Sequence, residues 1–167
     1  TGRQGIIEFR AFEMPAHERM AVGQMLLMRA IVAMLAKTPF ERPLQRFGSQ
    51  LHDRYMLPHF LWSDLVDVME DLNRAGLPAR HEMYLPFLDF KCPIMGRTDV
   101  DNMSLEVRTA LEPWMVLGEE GARSGTVRYV DSSVERVQVK VDGLIEGRHE
   151  VFVNGHRLPL RPTGRAS

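Results

Sequence analysis

At 167 residues, with 44% hydrophobic and 26% charged side chains, the chain is long enough for one core or two small subdomains and too apolar to be disordered. Its formal net charge of −1 and pI near 6.6 supply no electrostatic footprint for nucleic acid or an anionic membrane, so neither partner is expected. A single cysteine, Cys92, excludes an internal disulfide and, with no secretory or transit segment in view, points to a reducing, cytoplasmic setting.

The chain begins at Thr1 without a methionine and runs almost at once into an extended segment, the look of a piece cut from a longer protein. Alternation over residues 6–11 predicts a short strand. Ile7, Phe9 and Ala11 would enter a core, while Glu8 and Arg10 would share the opposite face about 6.6 Å apart along the backbone. A carboxylate beside a guanidinium suits phosphate chemistry, because oxygen ligands hold Mg²⁺ and the planar fork of arginine grips phosphate oxygens. The same triplet on a strand is ordinarily a solvated ion pair worth about 0–1 kcal/mol.

A helix is expected over residues 15–36, with Pro15 where a missing N–H costs nothing and Glu18 set against the macrodipole. From Met20 to Leu35 it has almost no polar face, which predicts burial. Gly23, Gln24 and Arg29 interrupt a run shorter than the ~20 residues a bilayer demands, so a membrane span is not expected. Prolines 39 and 43 then enforce a loop. His52, Asp53 and Arg54 follow as a charged cluster that either lines a cleft or is structural; His52 and His59 lie too far apart for an ordinary zinc pair.

Pro58 opens an amphipathic helix whose apolar stripe includes Phe60, Leu61, Leu65, Met69 and Leu72, and Gly76 with Pro78 stops it. Beyond residues 76–86 the period changes to two. Strands are predicted at 88–92, 105–108, 126–130, 137–141 and 151–153, and Asn154-Gly155 is a hairpin turn signal. Glu106-Val107-Arg108 and Asp89-Phe90-Lys91 echo the Glu8 triplet, either as duplicated strands or as the ordinary product of alternation. The glycine-rich run 117–125 lacks the lysine and the following helix of a P-loop and reads as a hairpin, and Asp131-Ser132-Ser133 reads as a turn. Cys92, on a predicted strand, reads as a small buried hydrophobe rather than a nucleophile. The fold class is therefore α+β, with a strand, a buried helix and an amphipathic helix packed with a C-terminal antiparallel sheet or sandwich. The helical part is placed at 1–80 and the β-rich part at 81–167.

The segment IIEFRAFEMPAHERMAVGQMLLMRAIVAML resembles the late strand and helix of glutamine synthetase-like carboxylate–amine ligases, whose pattern is hydrophobic, Glu, hydrophobic, Arg, then an acidic residue and a buried helix. Together with LHDRYMLPHFLW and ALEPWMVLGEEGARSGTVRYVDSSVERVQVKV, the chain is similar to the C-terminal amidoligase domain of bacterial transglutaminase-like proteins. The resemblance implies an ATP-dependent reaction with Mg (or Mn), in which a carboxylate is phosphorylated and an amine displaces the phosphate. It implies that Glu8 ligates the metal and Arg10 contacts the transferring phosphate; Glu13 stands near a further acidic position. The early E-x-E carboxylates of that superfamily and the transglutaminase Cys-His-Asp set are missing. The implied partners are thus upstream ligase and transglutaminase-like modules, with small-molecule or protein carboxylates and amines as substrates, and the piece alone would be inactive. The competing expectation is a non-catalytic accessory domain.

Overall fold

The computed structural model describes residues 2–9, 12–112, 116–123, 125–130, 133 and 135–163. These carry three α-helices and seven strands in antiparallel sheets, an α+β fold. The elements are α1 (Glu18–Lys37), α2 (Pro58–Arg74), α3 (Leu85–Lys91), and strands β1 (Ile94–Val100), β2 (Met103–Thr109), β3 (Val116–Ala122), β4 (Gly125–Val130), β5 (Val137–Asp142), β6 (Phe152–Val153) and β7 (His156–Arg157). Two compact units divide them: Thr1–Arg46 with Ser63–Phe87, and Phe47–Trp62 with Leu88–Ser167.

In the first unit α1 starts at His17, whose Nδ1 accepts a hydrogen bond from the Arg19 amide at 3.1 Å and caps the helix. Inside the helix, Gly23 lies against two rings. A methyl group there would sit 3.6 Å from Phe87, while the Tyr84 hydroxyl donates to the Gly23 carbonyl at 3.0 Å. The rings of Tyr84 and Phe87 stack with centroids 5.6 Å apart, and burial raises the Tyr84 phenol above its ordinary pKa. On α2, Met69 and Leu72 are fully buried, as the stripe predicts.

The end of α2 follows directly from its sequence. Gly76 adopts a left-handed φ of 77°, its amide bonds Asn73 O, and the Leu77 amide reaches back to Leu72 O at 2.9 Å. This is a Schellman closure, which satisfies carbonyls that the last turn would otherwise leave unpaired. Asn73 then clamps the outgoing chain, its side chain both donating to Ala79 O and accepting from Ala79 N at 2.9 Å.

Two expectations for this unit are overturned. Residues 6–9 are irregular rather than a strand, and Ile7 and Phe9 are 78% and 51% exposed rather than core. A strand needs a neighbour to take its amides and carbonyls, and every sheet among the described residues is built from β1–β7. Helix α1 is not buried either. Met20, Gln24, Leu27, Ile31 and Met34 make a half-buried row, while Val22, Met25, Leu26, Val32 and Leu35 on the other side are exposed. The helix is 20 residues long, with a mean hydropathy of 1.5 over its most apolar window, so by length and composition it could cross a membrane. The length argument against a span therefore fails.

The second unit is built on an antiparallel sheet of order β1-β2-β5. Its registers place Arg97 opposite Glu106 and Asp99 opposite Ser104 on one side of β2, and Lys140 opposite Glu106 and Gln138 opposite Arg108 on the other. Side chains opposite one another share a face. One face of this sheet is therefore polar, and the other carries Leu105, Val107, Val139 and Val141. A bulge at Met95 shifts β1 by one residue between Ile94 and Gly96.

Between β2 and β5 the chain makes the β3–β4 hairpin. The glycine-rich run is mostly strand β3, with Ala122 paired to Gly125 across the turn, so the hairpin reading holds and the phosphate cradle does not. The last hairpin, β6–β7, turns on Asn154 and Gly155 with φ of 51° and 80°, the paired positive angles of a type I′ turn. Residues 88–91, predicted as strand, instead lie in α3, and the Cys92 amide still bonds Leu88 O at 2.7 Å. Pro86 in the first helical turn costs no hydrogen bond, and local i to i−4 bonding decides a five-residue apolar pattern that alternation alone leaves ambiguous. The changeover to β structure consequently falls at Cys92-Pro93.

Candidate functional site

The polar face of the three-stranded sheet holds the densest set of interacting charges described. Strand alternation brings Glu106 and Arg108 to the same face of β2, two residues apart. Glu106 Oε2 accepts from Arg97 Nη2 at 2.6 Å and from Arg97 Nε at 2.7 Å, while its Oε1 accepts from Arg108 Nε at 3.2 Å. Asp89, from α3, lies 3.6 Å from Arg108 Nη1. One carboxylate thus serves two guanidinium groups.

Burial sharpens this network. Arg108 is 9% exposed, which is rare for an arginine and requires compensation by charge. Burial pushes the Glu106 carboxyl up, but the hydrogen bond from Arg97 and the charges of Arg108 and Arg97 outweigh it, leaving the group below its ordinary range. Glu106 is consequently an anion held in place, suited to positioning arginines and unsuited to accepting protons at neutral pH.

Next along the face, Gln138 joins the sheet to the start of α2. Its Oε1 accepts from the His59 amide at 2.8 Å, taking up a donor that the first turn of a helix cannot use internally. The preceding residues form a π-helical turn, Leu51–Tyr55, closed by the Met56 amide on Leu51 O at 2.9 Å. Arg54 projects from that turn with its guanidinium carbon 4.7 Å from the Phe60 ring centre and 5.2 Å from that of Tyr55. Both distances are within cation–π range.

The residues singled out in the sequence fall differently. Glu8 is exposed in the irregular segment of the first unit, and Arg10 lies outside the described residues. Glu106 and Arg108 come together in the second unit, and Arg54 belongs to that unit too. His52 is exposed, and nothing is described of the Asp53 side chain. Of the three acid-x-base triplets, only that at Glu106 is on a strand among the described residues; Asp89 is helical, so the duplicated-strand reading fails. Cys92 is 1% exposed and burial raises its thiol pKa, against the pull of Arg108 and Lys91, so it is not a poised nucleophile. Asp131 and Ser132 lie outside the described residues, as does Ser124.

Arg97 carries a role that sequence reasoning missed. Arg97 stands outside any triplet, and only the cross-strand register puts it opposite Glu106. An Asp, Glu, His or Cys group of three or more that could hold a metal ion is absent among the described residues. Glu8 therefore has no described set of companion ligands, and the residues in hand do not by themselves fit a metal centre.

No curated protein and no solved structure matches the chain. A family model does, and it spans the whole of it: residues 1–167 match the family described as "Putative amidoligase enzyme (DUF2126)". The chain belongs to that amidoligase family.

Proposed function

We propose that this chain is part of an ATP- and Mg²⁺-dependent carboxylate–amine ligase that makes an amide through an acyl phosphate, within a larger transglutaminase-like protein. The observation that carries the reading is the amidoligase family match over residues 1–167. In this reading Arg10 contacts the transferring phosphate, where a guanidinium fork neutralises charge that builds up on the phosphoryl oxygens. Glu8 is the metal-binding carboxylate. The described residues form no three-ligand group that could complete the coordination of an ion at Glu8.

The test is phosphate or ADP release from ATP by the complete protein supplied with carboxylate and amine mixtures. Arg10→Ala is expected to abolish turnover, and Glu8→Gln to lower it by about 10²-fold or more. Unchanged ADP release in Arg10→Ala overturns the assignment. A second reading, a non-catalytic accessory domain, is favoured by one specific observation: Glu8 sits exposed on irregular backbone rather than on a strand that would fix its direction. In that case both variants leave turnover unchanged, while partner-module assembly depends on the domain.

A further inference from the structure

The polar sheet face has more buried cation than its own acceptors satisfy. Among the described residues, Nη1 of Arg108, Nη1 of Arg136 and Nε of Arg54 are buried side-chain nitrogens with no hydrogen-bond partner, the first of them 3.6 Å from Asp89 in an ion pair, and all three belong to the second unit. The Ala110 amide bonds Arg136 O at 2.9 Å, which extends the β2–β5 ladder one step beyond Thr109 and Val137 and places Arg136 opposite Ala110. Arg108 and Arg136 are therefore diagonal neighbours on one face, a spacing within reach of long side chains. Gln138, opposite Arg108 in register, already accepts from the His59 amide. Of the carboxylates at Arg108, Glu106 is already shared with Arg97, and Asp89 pairs with Nη1 at 3.6 Å, beyond hydrogen-bond distance.

Buried guanidinium nitrogens left without an acceptor are costly, and a planar donor pair matches the oxygens of a phosphate or carboxylate. The first turn of α2 reaches the same face through His59, adding the positive end of a helix. We propose that Arg108 and Arg136, on the polar face of the β1-β2-β5 sheet, bind an oxyanion, a phosphate or a carboxylate group of a ligand. Glu106 is the positioning residue: it holds Arg108 through Nε, which leaves the two Nη nitrogens of that fork for other acceptors. The site is distinct from Glu8 and Arg10, so it stands or falls separately from the ligase assignment.

Calorimetric titration of the full chain with sodium phosphate, and in parallel with sodium glutarate, in a chloride-free buffer tests this directly. Saturable binding of one of them is expected, and the tighter of the two identifies the source of the oxyanion. Arg136→Gln is expected to weaken that binding by about tenfold or more, with Arg136→Lys retaining part of it, since a lysine keeps the charge and loses the fork. Lys140→Gln, whose lysine is paired with Asp142 on the same strand, is expected to bind as the unaltered chain does. Binding of neither anion at concentrations up to about 10 mM, or equal binding by Arg136→Gln, overturns the proposal. Arg136 is the residue to change because Arg108 is also a structural partner of Glu106.

Discussion

The two units invert the usual relation between polarity and burial. In the first, a helix apolar on nearly every side leaves Val22, Met25 and Leu26 exposed, at 67%, 63% and 54%. In the second, an arginine is buried against a glutamate on a sheet. Exposed apolar side chains cost little when solvated singly, but a buried charge is tolerated only when its partners are in place. The second unit therefore has the narrower tolerance to substitution, and its charges, unlike the apolar face of α1, cannot be moved one at a time.

The largest expected effect follows from this. Arg108→Ala removes the buried member of the network and leaves Asp89 and one oxygen of Glu106 without their cation, and it is expected to destabilise the second unit by about 3 kcal/mol. Urea unfolding of the full chain measures it. A loss confined to one transition, with the other midpoint unmoved, would sharpen the contrast between the units; a change below about 0.5 kcal/mol would show the network to be no more than a surface ion pair.

A smaller and more graded effect concerns pH. The Glu106 carboxyl is held below its ordinary value of 4.5 in the folded chain, so folding is favoured by its ionised form. That contribution is fully present above the unfolded value and is lost as pH falls through the lower folded one. Replacing Glu106 by Gln is accordingly expected to flatten the acid side of the stability profile below about pH 5 while lowering the plateau at pH 7. An unaltered acid slope in the variant would show that Glu106 gains nothing from Arg97 and Arg108.

How much of this was legible in the sequence depends on the range of the interaction that decides each element. The stop of α2 at Gly76, the Asn154-Gly155 turn and the buried stripe residues Met69 and Leu72 were readable, because glycine conformation and helical period act within a few residues. So was the shared face of Glu106 and Arg108. Residues 6–9 and 88–91 were not, since a short alternating run specifies a strand only when a partner strand accepts its hydrogen bonds, and that partner is set by tertiary structure. Arg97 and Arg136 became visible only through register, which joins residues 9 and 28 positions away from Glu106 and Arg108. The amidoligase family was legible from residue patterns that no local physical rule generates, and for that reason it came by resemblance and not by spacing.

The smallest effect tests the other half of the comparison. Met25 and Leu26 lie on the exposed side of α1, where lysine has nearly the same helix propensity as methionine and leucine and its head group reaches water. If solvent covers that face in the isolated chain, Met25→Lys and Leu26→Lys each change stability by no more than about 0.5 kcal/mol. Ile31→Lys, on the half-buried row, is the contrasting substitution and is expected to cost about 2 kcal/mol, because it strips apolar contacts and places an ammonium group against them. Equal costs for the two faces would mean that α1 is covered all round in solution, as its sequence alone suggests.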